Sequence, residues 1–151
     1  MTEHKKISPI VSASSGQNDV LLDIRDLTVE FWTELGIKQA INHLNLTIRR
    51  GEALGLVGEA GAGKTTTALA ILRLLQPKVG RVISGSIIYN GVDMATYSEK
   101  QMQNLRGNKI SMIFQNPLTS LNPVFTVGEQ LALVLRKHQN MKNKEAFEEA
   151  G

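Results

Sequence analysis

Gly58-Glu59-Ala60-Gly61-Ala62-Gly63-Lys64-Thr65 spells G-x-x-x-x-G-K-[ST], the spacing of a phosphate-binding P-loop. Each residue type has a physical reason to be there. Glycines let successive backbone N–H groups turn inward around an anion. The lysine supplies positive charge for β- and γ-phosphates, and the threonine hydroxyl is a magnesium ligand. Such a loop has to open a helix, whose N-terminal partial positive charge then faces the phosphates. Thr65 to Leu75 reads TTTALAILRLL, with no Gly or Pro before Pro77, which predicts that helix. On the other side, Ala53-Leu54-Gly55-Leu56-Val57 is a short apolar run that predicts a buried strand.

Working outward, Leu21–Phe31 alternates loosely and Leu44–Ile48 almost strictly, so two strands are expected around a turn at Thr33–Gly36. Arg49–Glu52 is a turn into the P-loop strand. Beyond Pro77 and Gly80, Ser84–Gly91 reads as a strand ending in an Asn-Gly turn. Ser98-Glu99-Lys100-Gln101 and Thr126-Val127-Gly128-Glu129 have capping-box form, each opening a helix. Ile110–Phe114 is a compact apolar run that predicts a further buried strand, Gln115–Pro123 a loop, and the last eleven residues an amphipathic helix. Residues 1–20 are polar and Ser-rich and are expected to form a disordered tail, leaving 21–151 as one domain. The order of elements is α/β with an antiparallel side sheet.

Bulk properties narrow the function classes. The 151 residues carry a formal net charge of only +3, and the basic residues cluster no further than pairs such as Arg49-Arg50, so no nucleic-acid stripe is expected. There is no cysteine, which removes disulfides, thiolate nucleophiles and Cys-based metal sites. No apolar run is long enough to span a membrane, and the first twenty residues lack the apolar core of a signal peptide. A cytoplasmic location is expected, with any membrane association made through partners.

Among P-loop proteins, a GTPase requires D-x-x-G and N-K-x-D. No Asp here has Gly three residues on, and Asn108-Lys109 is followed by Ile110-Ser111. A small-molecule kinase stays open on the P-loop alone. Downstream, Ile110-Ser111-Met112-Ile113-Phe114-Gln115-Asn116-Pro117, then Thr119-Ser120-Leu121-Asn122-Pro123 and Val127-Gly128-Glu129-Gln130, point elsewhere. Together with Gly58–Thr66 they resemble the ATP-binding subunits of ABC transporters, in the subfamily serving oligopeptide, dipeptide and nickel import. The resemblance covers about residues 21–150.

The resemblance implies a P-loop NTPase (RecA-like) core with an N-terminal antiparallel side sheet, binding ATP with Mg²⁺. Gly58, Glu59, Ala60, Gly61, Ala62, Gly63, Lys64, Thr65 and Thr66 would wrap the phosphates, with Thr65 on the metal. Gln115 would complete the metal or attacking-water shell. An aromatic ahead of the P-loop would stack on adenine; Phe31 and Trp32 are the candidates, and spacing does not choose between them. Ala60 and Ala62 stand where the subfamily often has serine, Asn116 where it often has an acid, and Leu133 where it often has Glu. Implied partners are membrane-spanning permease subunits and a second ATP-binding subunit, with the chain peripheral on the inner face of the membrane.

Three further family motifs are missing from these residues: the Ser-Gly-Gly-Gln signature, an apolar strand ending in Asp-Glu, and the switch histidine. His4, His43 and His138 have other contexts. The expectation is therefore the N-terminal part of such an ATPase, truncated before those segments, with no carboxylate to orient water and a P-loop strand left without its neighbour. A stand-alone module that holds nucleotide without hydrolysing it is the alternative.

Overall fold

The computed structural model describes residues 19–116 and 121–151, together with the backbone of Ser8–Ile10. The chain divides into two compact units, Met1–Met102 and Gln103–Gly151.

The first unit is built on a four-stranded antiparallel sheet. Its long hairpin pairs β2 (Val20–Thr33) with β3 (Gly36–Arg49). The predicted turn closes it, the Thr33 hydroxyl donating to Gly36 O at 2.8 Å. Strand β5 (Gly80–Tyr89) pairs with the other edge of β2, and β6 (Val92–Asp93) with β5, giving the order β3-β2-β5-β6. Leu22, Ile24, Leu27, Val29, Ile41, Leu44, Leu46 and Ile87 form the buried side-chain set of this sheet.

One level of the sheet is irregular on three adjacent strands. Asp26 and His43 adopt positive φ (52° and 49°), as does Gly85 (91°), and the strand registers shift there. Side chains rather than the ladder satisfy this row: Asp26 N–H donates to Asn45 Oδ1 at 3.0 Å, and His43 Nδ1 lies 2.6 Å from Asp26 Oδ1. Glycine is required on the third strand, because a Cβ at Gly85 would stand 2.5 Å from Asp26 O.

The P-loop strand is shorter and more open than the sequence suggests. β4 covers only Gly55–Val57, with Val57 57% exposed. It is not left unpaired, however. β1 (Ser8–Ile10), inside the segment expected to be a tail, pairs with it antiparallel. A bare strand edge offers a row of free N–H and C=O groups, and extended backbone within reach pairs with them. The rest of residues 1–18 lies outside the described residues.

Helix α1 runs Lys64–Ile71 and stops short of the predicted Leu75. Its end is a left-handed turn at Arg73 (φ 51°), with Leu74 N–H donating to Leu69 O and Arg73 N–H to Ala70 O. That pair of bonds is the Schellman closure, here made without glycine. A 3-10 turn, Met94–Thr96, follows β6, capped by Asp93 accepting from Ala95 N–H. Helix α2 (Glu99–Leu105) begins at the predicted Ser98/Gln101 box, with both reciprocal bonds present.

In the second unit, α3 (Val127–Gln139) and α4 (Asn143–Ala150) pack through the buried Ala132 and Ala146. Thr126 and Glu129 make the predicted capping box, and Arg136, Lys137 and His138 occupy the last turn of α3, where cations favour the helix dipole. The expected strand at Ile110–Phe114 is absent. Ile110 makes only an isolated bridge to Arg106, and Ile113 is 91% exposed. A buried strand needs a neighbouring strand for its backbone groups, and among the described residues none lies beside this run.

Candidate functional site

The P-loop is assembled by backbone geometry. Gly61 and Gly63 both take positive φ, 79° and 93°, and Gly63 is the residue from which α1 starts. A Cβ at Gly61 would meet no atom within 4 Å, so its positive φ, and not crowding, is what asks for glycine there. Ala62 N–H bonds back to Glu59 O at 3.2 Å, and Thr67 N–H to Gly63 O at 2.8 Å. Helix geometry leaves the N–H groups of the first turn without intrahelical partners, here those of Lys64, Thr65 and Thr66. No side chain caps them and no acidic residue sits in that turn, so the end of α1 keeps its affinity for an anion.

Lys64 is half-buried, its ammonium donating to Gly58 O at 2.6 Å and Glu59 O at 2.8 Å. Both acceptors are neutral carbonyls of the loop itself. The cation is thereby held over the turn, and a phosphate offers it the stronger, charge-assisted bond. Thr65 is exposed, whereas Thr67 is buried and spends its hydroxyl on Gly63 O at 2.9 Å. Only the first of these hydroxyls is presented outward. Among the described residues no group of three or more His, Asp or Glu could hold a metal ion. The donor set fits Mg²⁺ in the form that needs few protein ligands, arriving with phosphates. Ala60 and Ala62 add no hydroxyl to the cradle.

The two aromatic candidates also belong to the first unit. Phe31 pairs with Gly80 across β2 and β5, and its ring covers that glycine: a Cβ there would be 2.5 Å from Phe31 Cε1. Trp32 points to the opposite face by strand alternation. Its backbone N–H donates to Val79 O at 2.8 Å, and the Arg81 guanidinium stands 4.2 Å from the centre of its ring. Arg81 was not singled out from sequence. Nothing in a lone Arg after Gly80 signals it, since the contact depends on the register of β2 against β5.

Gln115 lies in the second unit and is exposed. Pro117, Thr119 and Ser120 of the downstream motif lie outside the described residues. The remainder has a structural purpose that spacing alone did not reveal. Gln130 Oε1 accepts from Asn122 N–H at 2.8 Å, and its amide donates to Asn122 O and Phe125 O at 3.0 and 3.1 Å. One glutamine thus fastens the loop that leads into α3. His138 packs its ring against Gly107, where a Cβ would come 3.0 Å from Nε2.

Comparison with known proteins identifies the family. Residues 41–151 match the model of the ABC transporter family. The oligopeptide transport ATP-binding protein OppD of Escherichia coli is 49% identical over 140 residues, spanning 93% of this chain and 41% of that protein. A probable peptide ABC transporter ATP-binding protein of Sinorhizobium fredii, y4tR, is 44% identical over 137 residues, 91% of this chain and 41% of its own length. The chain thus spans about two-fifths of the length of these relatives. Among solved structures, a dimeric post-hydrolysis state of the ATP-binding cassette MJ0796, bound to ADP and Pi, superposes with a TM-score of 0.68 at 21% identity, over 86% of this chain and 54% of that one. The chain belongs to the ABC transporter family, where it resembles the N-terminal part of the ATP-binding proteins of peptide transporters.

Proposed function

We propose that this chain binds ATP with Mg²⁺ on the Gly58–Thr66 loop, as the N-terminal part of an ATPase that energises peptide import. The observation that carries this reading is the P-loop itself: positive φ at Gly61 and Gly63, an uncapped helix start, and Lys64 held by loop carbonyls. The loop amides and Lys64 hold the phosphates, and Thr65 Oγ1 serves the metal. Mg²⁺, when bound, neutralises phosphate charge. Trp32 or Phe31 takes the base. The names of the relatives speak of peptides and oligopeptides, which supports a peptide rather than nickel as the solute of the whole transporter.

Residues 1–151 by themselves hold the nucleotide without turning it over. No apolar run in this sequence ends in the Asp-Glu pair that would complete the metal shell and orient water. Permease subunits and a second ATP-binding subunit are the partners of the reading, with attachment to the inner face of the membrane made through them. Among the described residues no helix is long and apolar enough to cross a membrane.

Equilibrium titration with a fluorescent ATP analogue tests this directly. Lys64→Ala is expected to weaken binding by about 30-fold or more, the cost of removing one partner of a close charge pair. Phosphate release by the unmodified chain is expected at background. Undiminished binding by Lys64→Ala overturns the site, and Lys64-dependent turnover overturns the non-hydrolysing part.

A further inference from the structure

β1 and β4 pair as Ser8 with Val57, Pro9 with Leu56 and Ile10 with Gly55. Antiparallel pairs alternate between those that exchange both main-chain hydrogen bonds and those that exchange none. Proline has no N–H, so Pro9–Leu56 is the pair without bonds, and Ser8–Val57 and Ile10–Gly55 are the bonded ones. Ser8 N–H therefore donates to Val57 O, and Val57 N–H to Ser8 O. Val57 O belongs to the peptide that joins Val57 to Gly58, the first residue of the P-loop. The next carbonyl along, Gly58 O, receives the Lys64 ammonium at 2.6 Å. Two successive carbonyls at the loop entrance are thus held, one by β1 and one by Lys64. Burial does little to fix this strand. Gly55 and Val57 are exposed, Leu56 is half-buried, and among the described residues β1 is the only strand paired with β4. Pro9 also leaves the outer edge of β1 without a donor at its centre, which ends the two-stranded sheet there.

We propose that Ser8–Ile10 is a detachable strap on the P-loop strand, whose pairing sets the loop entrance and so raises the affinity of the loop for phosphates. The inference rests on the nucleotide-binding reading above and adds to it a segment that regulates the site. A peptide held at its carbonyl cannot turn freely. The backbone leading into Gly58 is therefore ordered before a ligand arrives, and the ordering cost of binding falls. The strap is three residues long and lies on a strand with no fully buried residue, so it opens without unfolding the four-stranded sheet. Affinity then follows the fraction of time that the strap is paired. The coupling is reciprocal: a bound nucleotide must tighten the strap by the same factor by which the strap tightens the nucleotide. Anything that draws residues 8–10 away from β4 is thereby expected to loosen the nucleotide.

The test removes one main-chain donor. Ser8→Pro deletes the N–H that reaches Val57 O, whereas Ser8→Ala keeps it and loses only the hydroxyl. The full chain and both variants are titrated calorimetrically with Mg-ATP and, separately, with Mg-tripolyphosphate, and amide exchange is followed with and without ligand. Ser8→Pro is expected to bind both ligands about fivefold more weakly, because the loop entrance serves the phosphates and not the base. Ser8→Ala should bind as the unmodified chain does. Without ligand, the Gly55 and Val57 amides should exchange faster in Ser8→Pro while β2 keeps its protection. In the unmodified chain, Mg-ATP should slow those two amides by about the same fivefold. Four results overturn the proposal while leaving nucleotide binding intact. They are equal exchange of Gly55 and Val57 in Ser8→Pro and the unmodified chain, undiminished binding by Ser8→Pro, an equal loss in Ser8→Ala, and a loss of β2 protection in Ser8→Pro. If neither ligand binds the unmodified chain, the nucleotide reading itself fails, and the coupling with it.

Discussion

Leu27 and Val29 in the first unit are completely buried, while Ile113, Val124, Phe125, Leu133 and Val134 in the second are each about half exposed or more. The two units are held by different physics. The first buries an aliphatic set between long hydrogen-bonded strands, so its order rests on the hydrophobic term. The second has two buried alanines, Ala132 and Ala146, and relies on local devices: the Thr126/Glu129 box, the Gln130 bonds to the preceding loop, and basic residues in the last turn of α3. Such devices organise a helix without needing a large core. The P-loop lies in the unit with the core.

The contrast can be broken most sharply by truncating the cores. Leu27→Ala is expected to cost the first unit about 3 kcal/mol, the usual range for a buried leucine. Val134→Ala, at a residue 54% exposed, should cost no more than about 0.5 kcal/mol. Urea unfolding of both variants measures the difference; equal losses would mean that α3 is buried in solution. Next in size, Gly85→Ala asks an L-residue to take φ 91° with its Cβ 2.5 Å from Asp26 O. A loss of about 2 kcal/mol is expected, with the same cost visible in a lowered thermal midpoint. A neutral result would show that the three-strand irregular row relaxes easily.

A smaller loss than that at Gly85 is expected at the start of α3. Thr126→Ala removes the N-cap acceptor of α3 and should cost about 1 kcal/mol, read as lost amide-exchange protection in the first turn of α3 and not in β2. The Glu129 carboxyl is held below its ordinary value because Thr126 donates to it from its backbone N–H and its hydroxyl. A group whose folded pKa is depressed contributes stability above its unfolded pKa and loses it as pH falls through the folded one. Protection of α3 should therefore decline only as pH drops from the ordinary carboxylate range toward that lowered value, and the decline should vanish in Glu129→Gln. A pH-independent α3 in the unmodified chain would remove the capping box from the account.

Much of this molecule was legible as local chemistry. The G-x-x-x-x-G-K-[ST] spacing, the two capping boxes and the Thr33–Gly36 turn depend on a few adjacent residues, and all of them formed as the residue types dictate. Ends and burial were less legible. Ile110–Phe114 has the composition of a buried strand yet stays irregular and exposed, because a strand is a property of two segments and not of one. The P-loop helix stops at Ile71 because the backbone turns left-handed at Arg73, a conformation that an arginine does not announce.

The sequence by itself determined the P-loop spacing and the helix starts, each written within about one turn of the chain, and the family resemblance, which several spaced motifs carry together. Tertiary structure alone decided that Ser8–Ile10 pairs with the P-loop strand, that Phe31 closes over Gly80, and that Arg81 stands over Trp32. Those contacts join residues more than forty positions apart along the chain. Their existence depends on strand register, which a one-residue slip would move to the other face of the sheet.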